Sequence, residues 1–398
     1  MARILVAYKE FPAPSVGHAG GQGVFRLISC LHRRGHEVFL VCREKEEEAV
    51  WVEETRPFCA RLVTVPHHRS LPGPRPLAMV RSYWMLRRAS EQMLREARPD
   101  LLFIEFAQTA VALLGLRASF TSFRPHDVNW FLMEQQLPQV SGPRQWAAWA
   151  GSRFFRWLEP WLCRRHDQVV AISEGDRRLL APLCAPRKVL LLPLEPAFVA
   201  AADAPPAVPA GPNVLFVGAM YRSFNVDAVR WFLDQVWPHV VEQVPAARFY
   251  VVGYKPPDEI LACDDGEHVF VTGFVDDLAP WYRAAALVVS PMLVAGGLLQ
   301  KVLDGLSMGL PIVATSVSNH GVGATPGEHL LVADDPAAFA RAVVRLLQDP
   351  ERRERLGRAG QAFVRQQYDL DQAVERWERS WGLALRKASL DEGGPVVE

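Results

Sequence analysis

Gly296–Thr315 reads GGLLQKVLDGLSMGLPIVAT. Leu299, Val302, Leu303 and Leu306 fall at i, i+3, i+4 and i+7, which makes one apolar face and predicts an amphipathic helix. Gly309 suits the carboxyl cap and Pro311 blocks continuation. The β-branched run that follows predicts a buried strand. Gly296 and Gly297 leave the amino end of the helix unobstructed. A helix that hands over directly to a buried strand is the building unit of α/β folds.

The same unit recurs outward in both directions. RILVAY (Arg3–Tyr8), EVFLVC (Glu37–Cys42), RLVTVP (Arg61–Pro66), LLFIEF (Leu101–Phe106), QVVAIS (Gln168–Ser173) and KVLLLP (Lys188–Pro193) are short apolar runs with helix-length segments between them. Continuous apolar runs suit strands covered on both faces, as in parallel sheets. A stretch rich in proline and alanine, with Pro196, Pro205, Pro206, Pro209 and Pro212, interrupts the pattern and reads as a linker. The pattern then restarts with NVLFVGA (Asn213–Ala219), RFYVVGY, HVFVTGF, ALVVSPM, PIVATS and HLLVAD. The expectation is two facing Rossmann-like, doubly wound parallel-sheet domains with a cleft between them. Residues 1–198 form the first, 199–212 the linker and 213–368 the second. A helix at 369–388 is expected to pack back toward the first domain, and 389–398 to be a flexible tail.

The chain has 398 residues, which suits two domains. Lys plus Arg equals Asp plus Glu, at 44 each, so charge gives no reason to expect nucleic-acid binding. The six cysteines form no C-x-x-C pair and no zinc spacing, and read as reduced thiols of a cytoplasmic protein. The opening MARILVAYKEF lacks a basic region followed by a long apolar run, so no signal peptide is expected. His67 and His68 have no carboxylate or cysteine near them in sequence, and no metal site is expected.

Three groups of residues carry chemistry. Lys301 and Asp304 lie one turn apart, off the apolar face of the helix after Gly297. A diphosphate could take backbone N–H groups at that helix start and one charge from Lys301, with Asp304 accepting from ribose hydroxyls. The bland alternative is a surface i, i+3 ion pair. Arg222 follows the first strand of the second half, and Gly218 suits the tight turn there. Gly17, Gly20, Gly21 and Gly23 precede a helix after the first strand and read either as an anion-binding loop or as a flexible turn.

These segments, with LFVGAMYRSFNVDAVRWFLDQVWP, DQVVAISEGDRRLL, RPDLLFIEF and RRGHEVFLVC, resemble the family 4, or group 1, glycosyltransferases along nearly the whole chain. The resemblance implies the GT-B fold, retaining transfer of a sugar (hexosyl) from a nucleotide-sugar, and no required cofactor or metal. It places the donor on the second half, through Gly218, Arg222, Gly296, Gly297, Lys301 and Asp304. It places a carbohydrate or lipid-linked acceptor on the first half, near Gly20, Gly21 and Gly23. It also brings His126 and Asp127 to the transferred sugar, where His126 could hydrogen-bond a hydroxyl. Glu105 either faces the cleft as an acceptor contact or is satisfied by a neighbouring helix start. The family signature has two glutamates with seven residues between them. Gly296 and Asp304 stand at those places, and Leu299 where a related branch has arginine. Those departures keep open an inactive nucleotide-sugar-binding subunit. An epimerase would need a carboxylate cluster around the sugar, which the sequence does not offer.

GPRQWAAWAGSRFFRWLEPWLCRRH (Gly142–His166) interleaves aromatic residues with arginines. It reads as a helix packed on the first domain with arginines reaching outward, in preference to peripheral contact with the inner face of a membrane.

Overall fold

The computed structural model describes all residues except 15, 17–18, 185–188, 198–205 and 393–398, with backbone alone at 19, 139 and 383–392. It divides into two compact units. The first comprises Met1–Trp130, Trp149–Glu195 and Asp369–Glu398, and the second Phe131–Ala148 and Pro196–Tyr368. The excursion of Phe131–Ala148 into the second unit falls inside the span 1–198 drawn from sequence.

The first unit holds a seven-stranded sheet of order β3-β2-β1-β4-β5-β6-β7. The strands are β1 (Arg3–Tyr8), β2 (Glu37–Glu44), β3 (Arg61–Pro66), β4 (Leu101–Glu105), β5 (Phe120–Arg124), β6 (Gln168–Ala171) and β7 (Val189–Leu191). Every pairing is parallel. Strand β5 has no counterpart among the predicted strands. Its sequence, FTSFR, is half polar, yet all five residues are buried. The helix Leu370–Glu392 completes this unit's core with Ala373, Val374, Trp377 and Trp381. Trp377 packs its ring 4.8 Å from Phe103. Arg34 holds Glu378 through two bonds of 2.8 and 2.7 Å. The tail drawn at 389–398 is therefore helical as far as Glu392, and the rest lies outside the described residues.

The second unit holds a six-stranded sheet of order β10-β9-β8-β11-β12-β13, again all parallel. Its strands are β8 (Asn213–Val217), β9 (Arg248–Val252), β10 (Val269–Gly273), β11 (Leu287–Ser290), β12 (Ile312–Ala314) and β13 (Leu331–Val332). The described end of the linker is tied to this unit, because Ala207 N–H donates to the Pro280 carbonyl at 3.0 Å. The opening segment forms the helix Gln300–Ser307 between β11 and β12. It ends in a Schellman arrangement. Gly309 takes φ +74°, its N–H reaches the Leu306 carbonyl, and Leu310 N–H reaches that of Gly305, both at 3.0 Å.

Each sheet has a point where strand order reverses, between β1 and β4 in one and between β8 and β11 in the other. Crevices at the carboxyl ends of strands on either side of such a point are where ligands bind in open parallel sheets.

Candidate functional site

In the second unit Gly218 and Lys301, singled out from sequence, meet through Asn225 at the reversal between β8 and β11. Gly218 leaves β8, and its carbonyl oxygen lies 1.8 Å from where a Cβ on Gly253 would stand. The two backbones touch, so Gly253 must be glycine. A Cβ on Gly218 would meet Asn225 at 3.0 Å. Asn225, buried on the helix Ser223–Gln235, donates from Nδ2 to the Ala219 carbonyl at 2.9 Å and so fixes that turn.

Lys301 reaches the same place from the other side. Its Nζ donates to Asn225 Oδ1 at 2.9 Å and lies 3.9 Å from the Phe216 ring centroid and 3.5 Å from Met292 Sδ. The residue keeps partial exposure, but its ammonium is boxed by a ring, a thioether and an amide. Desolvation there, and then repulsion from Arg222, push the amine down to about 7. Arg222 stands at the N-cap position of the Ser223–Gln235 helix with no side-chain capping bond and is exposed, its guanidinium 5.8 Å from the Tyr221 ring and 5.7 Å from the Phe224 ring. Two cations that repel each other in this crevice suit an anion between them.

The loop from β11 to the Gln300 helix is held on three sides. Thr315 Oγ1 donates to the Met292 carbonyl at 2.7 Å, and Ser318 Oγ accepts from Met292 N–H at 3.3 Å. Ala295 N–H donates to Gln135 Oε1 at 3.0 Å. A Cβ on Gly296 would fall 2.4 Å from Leu132. A Cβ on Gly321 would fall 1.8 Å from the Gly297 carbonyl oxygen. Gly297 itself takes φ +58°. The helix begins at Gln300 with Leu299 as its cap residue and no side-chain capping bond, which leaves its first amides to backbone, water or ligand.

Asp304 departs from expectation. It is only 4% exposed. Its Oδ1 accepts from Ala197 N–H at 2.6 Å and from Gln300 Nε2 at 2.8 Å. Lys301 and Asp304 thus turn to different partners and do not share one solvent-facing surface.

In the first unit, β4 and β5 carry a buried charge cluster in register, Glu105 opposite Arg124. Arg124 grips Glu105 through Nε and Nη2 at 2.9 and 2.6 Å. His126 Nε2 lies 2.7 Å from Glu105 Oε2. Burial pushes Glu105 up, but Arg124 and His126 outweigh it and hold the carboxyl below its ordinary value. Burial, against the pull of Glu105, holds His126 below its ordinary value. Nε2–H is then the donor, because an ionised carboxylate only accepts, and Nδ1 keeps a lone pair. Both sequence-based readings of Glu105 give way here. It is fully buried and satisfied by Arg124 and His126, neither open to solvent nor at a helix start. The His126 ring stacks on Phe106 at 3.8 Å and 6°, and Lys9 sits 4.0 Å from the centroid of the same Phe106 ring. Phe106 and His126 take φ +73° and +68°, a region L-residues rarely occupy.

Asp127 is half-buried. It adds repulsion to two buried acids, Asp176 and Glu159. Burial pushes Asp176 up to about 7 against the Ser173 hydroxyl, which donates to it at 2.6 Å. Glu159 Oε1 accepts from Asn129 N–H and Nδ2 at 2.8 and 2.7 Å. Gly20, Gly21 and Gly23 lie inside the helix Ala19–Arg33 and not in a loop before it. A Cβ on Gly23 would fall 2.5 Å from Leu194, so this glycine makes room for packing. Gly17 lies outside the described residues.

Comparison with known proteins follows the same division. Residues 19–195 match the family described as "Glycosyl transferase 4-like domain", and residues 211–349 match "Glycosyl transferases group 1". The chain is 30% identical over 165 residues to phosphatidyl-myo-inositol mannosyltransferase of Mycobacterium leprae, covering 40% of this chain and 43% of that one. It is 26% identical over 165 residues to an uncharacterised 44.6 kDa protein in the cps region of Klebsiella pneumoniae, covering 39% and 42%. The chain spans less than half the length of these curated relatives. Among solved structures, sucrose-phosphate synthase from Thermosynechococcus elongatus superposes with TM-score 0.76 at 17% identity, over 97% of this chain and 100% of that one. Anabaena HepE in complex with UDP superposes with TM-score 0.65 at 13% identity, over 96% and 100%. These neighbours share the two-sheet GT-B fold.

Proposed function

We propose, from the premise that the chain belongs to the GT-B glycosyltransferases, that it moves a sugar from a nucleotide-sugar to a hydroxyl acceptor. The observation that carries this reading is that Lys301, at the β8–β11 reversal, bonds Asn225 in the first turn of the helix that Arg222 precedes, beside a Gln300 helix start with no side-chain cap. Backbone amides and two cations there suit a diphosphate. They would stabilise the charge that develops as it leaves, which is where electrostatic catalysis acts. UDP bound to HepE supports the choice of ligand class.

The missing first acid is consistent with activity. Leu132 fills the space a side chain at position 296 would need, so the loop is built around glycine there. The ribose contact expected of Asp304 would replace its Gln300 partner, since the Ala197 bond is to backbone. In the first unit His126, held neutral, offers Nδ1 to a sugar hydroxyl, and its Phe106 stack and Glu105 bond keep the ring oriented. We assign transfer with retention, the departing phosphate taking the acceptor's proton. The likeness to phosphatidyl-myo-inositol mannosyltransferase favours a lipid-linked acceptor.

Incubation with a panel of nucleotide-sugars tests the reading. Release of nucleoside diphosphate, with the anomeric coupling of the product unchanged from the donor, is expected. Binding without release, or interconversion of the sugar without release, would refute it.

A further inference from the structure

We propose that Gln135 recognises a hydroxyl of the donor's sugar, a contact that the loop before the Gln300 helix does not supply. The inference rests on the proposed reaction and places the sugar within it. Asp304, one turn into the helix, is the expected ribose contact, and Lys301 with the helix start takes the diphosphate. The nucleoside end of the donor then lies along the helix. The sugar, joined to the other end of the diphosphate, falls beside the chain that leads into the helix. That chain is Met292–Leu299, MLVAGGLL, which has no polar side chain. A sugar hydroxyl removed from water costs free energy unless it finds a hydrogen-bond partner.

Polar side chains packed around this loop already have work. Thr315 Oγ1 donates to the Met292 carbonyl at 2.7 Å and Ser318 Oγ to the Ser290 carbonyl at 2.6 Å, and both residues are buried. Gln300 Nε2 donates to Asp304 Oδ1 at 2.8 Å. Gln135 differs from these. Its Oε1 accepts from Ala295 N–H at 3.0 Å. That bond sets which way the amide points, because an N–H must face the oxygen and not the NH₂ group. Nε2 is left with two N–H groups and, among the described residues, no protein partner. The side chain is half-buried, beside the loop and still open to a ligand.

Packing holds the amide in place. Gln135 lies on the helix Asn129–Gln136. Phe131, four residues earlier and so on the same face, sets its ring 4.8 Å from that of His320. Leu132 fills the space beside Gly296. All three belong to the segment Phe131–Ala148, which is part of the second unit. A contact group on a packed helix is positioned more precisely than one on a loop. A site that hydrogen-bonds a hydroxyl in this way also discriminates against an analogue without it. Gln135 would therefore help to choose the sugar.

A purely structural Gln135 would satisfy Ala295 N–H and do nothing more. The two roles separate by ligand. The test is calorimetry on the full chain with UDP against UDP-glucose and GDP against GDP-mannose. Gln135→Met keeps the length of the side chain and removes both polar groups. It should weaken the nucleotide-sugar about fivefold, the worth of one ordinary hydrogen bond, and leave the matching nucleoside diphosphate within about twofold of wild type. Against donors that each lack a single sugar hydroxyl, the deficit should vanish for one of them. Equal weakening of diphosphate and nucleotide-sugar, no weakening of either, or the same deficit for every deoxy donor would overturn the proposal. Wild-type protein that binds neither nucleotide-sugar would overturn it together with the transferase reading. Binding without turnover would refute the reaction alone, and the contact would still be read from the affinities.

Discussion

Gly321→Ala is the sharpest test of how the second unit holds its anion site. Gly321 ends the short helix Ser316–His320 with φ −74°, so alanine is acceptable there on conformation alone. Space is the obstacle. The new Cβ would stand 1.8 Å from the Gly297 carbonyl oxygen, 2.6 Å from its carbon and 3.1 Å from Leu298 Cα. Ordinary contact needs roughly 3.4 Å, so backbone must move by about 1.5 Å. The Ser316 helix has little freedom to retreat, because Thr315 and Ser318 tie it to Met292 and Ser290. The loop at Gly296 is backed by Leu132. Overpacking of this kind costs about 1–3 kcal/mol of stability. A displacement on the order of 1 Å at the start of the Gln300 helix should lower turnover about 100-fold. Gly327→Ala is the control. Gly327 takes φ +82° with nothing within 4 Å of its Cβ position, so it should cost only the left-handed penalty of about 1 kcal/mol. Urea unfolding gives the stability of both variants, and calorimetry with UDP and GDP gives their affinities. If Gly321→Ala binds nucleotide as tightly as Gly327→Ala does, the Gly297–Gly321 contact does not position the site.

Other expectations concern titration and charge. Lys301, held at about 7 against an ordinary 10.5, should bind donor best while protonated. Affinity for a nucleotide-sugar, whose diphosphate has no ionisation near neutrality, should fall about tenfold per pH unit above 7. Calorimetry should show proton uptake at pH 8, and Lys301→Met should abolish both. For the free protein the sign is opposite. The unfolded chain binds the extra proton between about 7 and 10.5, so this group's contribution to stability rises with pH through that window. Asp176, pushed up to about 7 from 3.8, keeps its proton in the folded state where the unfolded chain has lost it. Its stabilising contribution is full below pH ~4 and lost as pH rises through about 7, a loss of up to about 4 kcal/mol. Asp176→Asn should therefore gain stability relative to wild type at pH 8 and not at pH 4, and an equal change at both would refute the assignment. Glu105→Gln leaves Arg124 charged and uncompensated in the core. It should destabilise the protein by about 3–5 kcal/mol in urea unfolding, and wild-type stability would contradict the cluster's role.

The strands that could be read from sequence are continuous apolar runs. Arg3–Tyr8, buried but for Arg3, and the edge strand Arg61–Pro66, where only Val65 is buried, have the same limits in the structure as in the sequence pattern. Strand β5 could not be read this way. FTSFR carries Thr121, Ser122 and Arg124 into the interior, and a periodicity test counts them as solvent-facing. What admits Arg124 to the core is Glu105, directly across in β4. The two acquire meaning only as a pair 19 residues apart, and no local pattern records that. The same holds at Gly253 and Gly321, whose reason for being glycine is a backbone brought from elsewhere in the chain.

The opening segment shows how reading a side chain in isolation goes astray. Its helix, its carboxyl cap and its place at the end of β11 all follow from local pattern. The partners of its charges do not. Helix geometry alone puts Lys301 and Asp304 on neighbouring positions and invites them to share a ligand. Each is instead claimed by a distant group, Lys301 by Asn225 and Asp304 by Ala197. Lys301 gains from this as a binding residue. A lysine in a dry box, repelled by Arg222, is poised for an anion in a way a solvated surface lysine is not. Gly296 gains a reason as well. An acid at that position would have to displace Leu132, from the segment Phe131–Ala148 that packs into the same unit. The position is filled by hydrophobic packing, and the charge work falls to Lys301, Arg222 and the amides of the helix start.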